Sequence, residues 1–282
     1  MENNFNSPSE CVDLNIKGGI VKANLPIIKM ILLGIMAGAF IAIGAEGSNL
    51  AMHNISDVGL ARTLAGAVFP VGLMMLVLIG GELFTGNCLL IMGVLDKKFS
   101  ATKMIINLII VHMSNFIGAF LVAYGMFACG QFNYSSGGLG AFTIKVAIAK
   151  LAISPSSAII SGIFCNILVC AAILMATAAK DIAGKCIAMF FPIFVFVISG
   201  FEHCVANMYY IPAGIIASKN AEYVQKAQEL YGITTEQIQN LNYSNMYISN
   251  ILPVTLGNLI GGMLCIGVLC FVIYKKSLSL KK

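Results

Sequence analysis

Six apolar blocks, at about 27–52, 64–95, 104–129, 158–179, 186–218 and 248–274, narrow what this chain can become more than any other feature. Each is long enough to carry a helix across a hydrocarbon core, which takes roughly 20 apolar residues. With 59% hydrophobic and 10% charged residues and a mean hydropathy of +0.90, the composition lies outside the range of soluble domains. Unpaired backbone groups are costly in lipid, so block length selects helices over irregular chain. The expected fold is an all-α integral membrane protein with six transmembrane helices in one domain, 27–276.

Residues 1–26 carry Glu2, Glu10, Asp13, Lys17 and Lys22 and no early apolar run, which reads as a cytoplasmic leader rather than a cleavable signal. With the N-terminus inside, twelve lysines (17, 22, 29, 97, 98, 103, 180, 185, 275, 276, 281 and 282) collect on the inner side. Arg62, Lys145, Lys150, Lys219 and Lys226 fall outside. That bias predicts a multi-pass protein of the cell membrane with both termini cytoplasmic, the tail being 277–282. The net charge of +5 therefore marks topology and gives no reason to expect nucleic acid. Nine cysteines lie mostly within apolar segments, with no C-x-x-C pair and no His-rich set, so no metal is expected.

Blocks two and five are too long for one straight span, and each is interrupted near its middle. Gly80 to Asn87 reads GGELFTGN and Gly200 to Asn207 reads GFEHCVAN, with an acid five residues before an asparagine in both. Further on, Asn115-Phe-Ile-Gly is echoed by Asn258-Leu-Ile-Gly. Glu82 and Asn115 are 33 positions apart and Glu202 and Asn258 are 56 apart, so the second half holds 23 extra residues, which fits the polar stretch 219–245 as an outer insert. Three spans separate the two breaks, so the halves are inverted repeats with broken second and fifth helices, a plan that places a site at mid-membrane.

Unwound backbone persists in a membrane only where it is buried in protein or lines a wet cavity, so two matched breaks imply a shared cavity. The N-termini of the half-helices make such a cavity hospitable to anions. Thr85 adds a hydroxyl there and His203 a ring N–H. A charge at the centre of a membrane helix costs about 2.5–3.5 kcal/mol on insertion scales, so Glu82 and Glu202 need partners. They are expected to accept the freed backbone N–H groups and, with Gly81 and Gly86, to shape the breaks rather than touch solute. His53 and His112 have no echo and carry no assignment. Lys145 is expected to snorkel to headgroups from an interfacial stretch. The pairs Gly34/Gly38 and Gly257/Gly261 indicate close helix packing, within or between subunits.

On the motifs Gly80-Gly-Glu-Leu-Phe-Thr-Gly86, Gly162-Ile-Phe-Cys-Asn-Ile-Leu-Val-Cys170 and Glu202-His-Cys-Val-Ala-Asn-Met208, the chain resembles the formate/nitrite transporter family from about Lys22 to Lys276. The resemblance implies an aquaporin-like protomer in a homopentamer, with one pore per protomer. It implies that Thr85 and His203 face each other at mid-pore, between constrictions at Phe69 with Phe196 and at Leu73 with Leu83 and Phe84. Lys150 matches a lysine that draws anions into the outer vestibule. Asn166 and Asn207 match motif asparagines that either contact solute or hold the breaks. The implied function is passage of small monovalent anions, formate first, with a proton supplied by His203 or a nearby water. Nitrite and hydrosulfide are the alternatives within the family. A neutral-solute channel is the alternative outside it, and the lack of an Asn-Pro-Ala repeat counts against that reading. No catalytic constellation points to an enzyme, and no cofactor is expected. Family relatives also suggest a leader that docks a cytoplasmic enzyme or plugs the pore.

Overall fold

The structure is a computed structural model that describes residues 4–275. The tail at 277–282, with Lys276, lies outside the described residues. Besides a short 3-10 turn at Gln131–Asn133, twelve helical segments follow one another among those described: α1 (Pro8–Ala23), α2 (Ile27–Met52), α3 (Val58–Leu78), α4 (Phe84–Leu95), α5 (Ala101–Ala128), α6 (Tyr134–Leu151), α7 (Pro155–Ala178), α8 (Ile182–Ile198), α9 (Cys204–Ala217), α10 (Ala221–Tyr231), α11 (Thr235–Asn240) and α12 (Tyr243–Tyr274). Five of them, α2, α3, α5, α7 and α12, are long and apolar enough to cross a membrane. The shorter apolar helices α4, α8 and α9 are the partners created by the two breaks. The outward faces carry Ile105, Ile109, Leu121, Ile160, Phe164, Phe191, Leu256 and Leu264, which suits contact with acyl chains.

The two halves are built by the same contact. In the first, α2 crosses α5 so closely that a Cβ on Gly118 would stand 1.9 Å from the Ile35 carbonyl oxygen, and one on Gly38 2.1 Å from that of Asn115. In the second, α12 crosses α7, and Cβ atoms on Gly257 and Gly261 would stand 2.1 and 2.2 Å from the Ile159 and Ile163 carbonyl oxygens. Both small-residue pairs therefore close helix contacts within one subunit, and the alternative between subunits is not needed to explain them. Gly118→Ala is expected to lower stability by about 1–3 kcal/mol through overpacking. Gly125→Ala on the same helix, where nothing lies within 4 Å, is expected to be near neutral. Thermal denaturation of the detergent-solubilised protein separates the two.

The leader is more than a tail. Ser7 and Glu10 form a reciprocal capping box that starts α1. The helix buries Cys11, Val12, Ile16, Gly19 and Ala23 against the ends of the spans. Asn15 Nδ2 donates to Thr177 Oγ1 at 3.2 Å, and Lys275 pairs with Asp13 at 2.6 Å. Both described ends of the chain thus lie on one face, called here the terminal face, and the opposite face is distal. On the distal face the insert folds into α10 and α11. Tyr223 is buried over Gly140 and donates to Asn133 Oδ1 at 2.5 Å, and Lys226 donates to the Ser136 carbonyl.

Candidate functional site

Gly80 and Gly200 take φ of +115° and +69°, the left-handed region in which only glycine is unstrained, and the chain runs extended for three residues after each. The helix restarts at Phe84 in one half and at Cys204 in the other. One asparagine brackets each gap. Asn115 Oδ1 accepts the Phe84 N–H at 2.9 Å, and its Nδ2 donates to the carbonyls of Gly34 and Glu82 at 2.8 and 2.9 Å. Asn258 repeats this with the Cys204 N–H at 2.9 Å and the carbonyls of Gly162 and Glu202 at 2.8 and 3.0 Å. The expectation that the carboxylates of Glu82 and Glu202 take up the freed N–H groups is therefore corrected. A carboxylate cannot donate, so it could not have served the orphaned carbonyls, whereas an amide serves both kinds of group.

The acids are bound elsewhere. Glu202 accepts from Asn207 Nδ2 at 2.6 Å and from the Lys150 ammonium at 2.6 Å. Glu82 accepts from Asn87 Nδ2 at 2.6 Å and pairs with Lys22 at 3.2 Å. Behind them Asn107 and Asn250 accept from Asn87 and Asn207, and donate to the backbone carbonyls of Lys22 and Lys150. Each half thus holds a lysine, an acid and two asparagines in matching bonds. Lys22, Asn107 and Asn250 escaped sequence reasoning. A signal was present, because Asn107 precedes Asn115 by eight residues and Asn250 precedes Asn258 by eight.

Where the two breaks meet, Thr85 Oγ1 and His203 Nε2 lie 2.9 Å apart, both buried. His203 is the N-cap of α9, and its Nδ1 accepts the Ala206 N–H at 3.1 Å. In the neutral ring the hydrogen must then sit on Nε2, directed at Thr85. The threonine hydroxyl accepts it and keeps its own O–H for another acceptor, since among the described residues it has no second partner. Above this pair the rings of Phe69 and Phe196 meet edge-on with centres 5.2 Å apart, and Phe196 lies 6.0 Å from the His203 ring.

A cavity of about 700 Å³ opens from these groups towards the distal face. Phe69, Phe196, His203 and Asn207 line its deep part, with Lys150 and Glu202 beside them. Leu230 and Tyr231 of the insert form part of its wall, so the polar stretch predicted as an outer excursion shapes the vestibule. Lys145 does not lie along an interface. The apolar face of α6 is buried against α9 and α10, which leaves the Lys145 ammonium in the cavity wall, 4.5 Å from the centre of the Tyr231 ring. Asn166 is outside the cavity lining, and its Nδ2 reaches the Thr85 and Asn258 carbonyls at 3.2 and 2.6 Å. Its amide N–H groups are thus engaged by backbone carbonyls of α4 and α12. Leu73, Leu83 and Phe84 are buried in one apolar cluster around the first break, with Phe84 edge-on to His112 at 4.7 Å. Gly81 packs on Ala37, and a Cβ on Gly86 would stand 2.7 Å from Ile173 Cδ1. His53 bonds the Leu50 carbonyl and Ser135, away from the Thr85–His203 pair.

Comparison with known proteins agrees with this architecture. The family model described as formate/nitrite transporter matches residues 9–272. The chain is similar to the formate channel FocA of Haemophilus influenzae, with 35% identity over 93% of this chain and 92% of that one. It is also similar to an uncharacterised transporter, YrhG, of Bacillus subtilis, at 37% identity over 96% and 95%. A solved structure described as a pentameric formate channel with formate bound superposes with a TM-score of 0.78 at 33% identity, covering 88% of this chain and 97% of that one. A second solved structure, an FNT family ion channel, shares the fold with a TM-score of 0.75 at 24% identity, over 93% and 96%. From the extent of these matches and the paired breaks, the chain belongs to the formate/nitrite transporter family, a multi-pass membrane class of transporters rather than enzymes.

Proposed function

We propose that the protein passes small monovalent anions, formate foremost, through a pore in each protomer that runs from the distal cavity past Phe69 and Phe196 to Thr85 and His203, and then past Leu73, Leu83 and Phe84. The observation that carries this reading is the Thr85–His203 pair at the junction of the breaks. Two donors are oriented there by a helix cap and enclosed by apolar rings: the threonine O–H, which is free, and the Nε2–H, which turns from the threonine oxygen to an arriving anion. They replace part of an anion's hydration shell in mid-membrane, where an unpaired charge is costly. Formate is chosen over nitrite and hydrosulfide because the relatives at 30–35% identity include formate channels by name, and because of the long insert after α9.

Protonating Nδ1 would set its new N–H against the Ala206 N–H and break the cap of α9, so His203 works as a neutral donor. The proton that lets the base of a weak acid cross as the neutral species is drawn from the bulk solution and relayed through the cavity. The similarity to a pentameric formate channel supports a homopentamer here. The lysine distribution supports a terminal face on the cytoplasmic side, which turns the distal cavity outwards. The buried face of α1 is taken by the bundle and is not free to dock a cytoplasmic enzyme.

In proteoliposomes the wild type is expected to carry formate. Thr85→Val and His203→Phe are each expected to slow it by about tenfold, roughly the loss of one membrane hydrogen bond, while Thr85→Ser stays near wild type. Wild-type rates in both Thr85→Val and His203→Phe would overturn the assignment of the pore site.

A further inference from the structure

The distal cavity is lined by three permanent cations, Arg62, Lys145 and Lys150, and by one carboxylate, Glu202. They do not act alike. The Lys150 ammonium lies 2.6 Å from Glu202, with its side chain 18% exposed, so the two charges cancel at short range. Arg62 and Lys145 are exposed, and neither belongs to an ion pair among the described residues. Arg62 is steadied by the end of α8, where Nη1 is 3.5 Å from the Ile198 carbonyl. It occupies the space left by Gly200, where a Cβ would stand 2.6 Å from Nη1. Lys145 is held over Tyr231, a residue of the insert.

Resting on the function proposed above, we infer that Arg62 and Lys145 form an anion-capture site in the distal vestibule, separate from Thr85 and His203, and that Lys150 is chiefly the counter-ion of Glu202. The ligand is a small monovalent anion, and the fork of the Arg62 guanidinium favours a planar carboxylate over a spherical ion. The remaining titratable side chains in the lining are His203, Tyr210, Tyr231 and His53, and the two ring nitrogens of His53 are engaged by the Leu50 carbonyl and Ser135 Oγ. Capture here raises the local anion concentration above the Phe69–Phe196 gate. Its signature is a change in half-saturating concentration that depends on ionic strength, with the maximal rate preserved.

The test measures initial formate flux against formate concentration in proteoliposomes, at low ionic strength and again with added sodium sulfate. Arg62→Gln and Lys145→Gln are each expected to raise the half-saturating concentration by about threefold, and the double variant by about tenfold, as expected for removing charges across a watery vestibule. The differences shrink below about twofold in high salt. Arg62→Lys and Lys145→Arg return within about twofold of wild type, which a merely structural loss would not do. A double variant with wild-type half-saturation at low salt overturns the inference, as does a defect that high salt leaves unchanged. If the wild type carries nitrite but no formate, the formate reading fails, and the same ratios taken with nitrite still judge the capture site.

Discussion

Asn258→Leu is expected to remove about 3–5 kcal/mol of stability and to abolish flux. One side chain accepts the Cys204 N–H and donates to the carbonyls of Gly162 and Glu202. Leucine fills the volume and serves none of these groups. Hydrogen bonds between membrane helices average well under 1 kcal/mol when the unfolded alternative also finds partners. Here the orphaned groups belong to an unwound segment buried in protein, where an unmet donor or acceptor costs about 1–3 kcal/mol each. Asn115→Leu is expected to cost about as much, because it repeats the three bonds in the other half. Thermal unfolding of the purified protein checks both, and a shift no larger than that of an exposed apolar substitution such as Leu121→Ala would show that the breaks are held by other means.

The second large effect concerns Lys150. Lys150→Met leaves Glu202 buried, with asparagines but no cation, and removing one member of a buried pair typically costs about 3–5 kcal/mol. Most of that penalty is the stranded charge rather than the lost contact. The double variant Lys150→Met, Glu202→Gln is therefore expected to regain most of the lost stability. Lys22→Met should be milder. The Lys22 side chain is 37% exposed against 18% for Lys150, so water takes over part of its role at Glu82. An equal loss in Lys22→Met and Lys150→Met, read by thermal unfolding, would contradict this ranking.

The breaks were legible because they violate a rule that membranes enforce strictly: glycine followed by an acid in the middle of an apolar run has no place in an uninterrupted span. The inverted repeat followed from two such violations three spans apart. The brackets were visible only as an echo, since Asn115 and Asn258 announce a repeat without saying which atoms they bind. That knowledge needs the helix crossing at Gly34 and Gly162, which brings a carbonyl to within 2.8 Å of each amide. Lys22 was invisible because its partner is sixty residues away and it sits in a segment whose composition resembles any polar leader. The vestibule wall at Tyr231 was hidden for a similar reason. An amphipathic pattern in the insert shows that α10 has a face to bury, but not that its end reaches Lys145.

In both halves the cation precedes its acid along the chain, Lys22 before Glu82 and Lys150 before Glu202. A membrane protein is threaded into the bilayer from its N-terminus as it is made. Each carboxylate therefore arrives after its counter-ion has been synthesised, and neither has to wait in lipid, charged and alone, for a segment still on the ribosome. The N-terminal helix supplies for the first half what α6 supplies for the second. The order of residues is thus also a schedule for assembly.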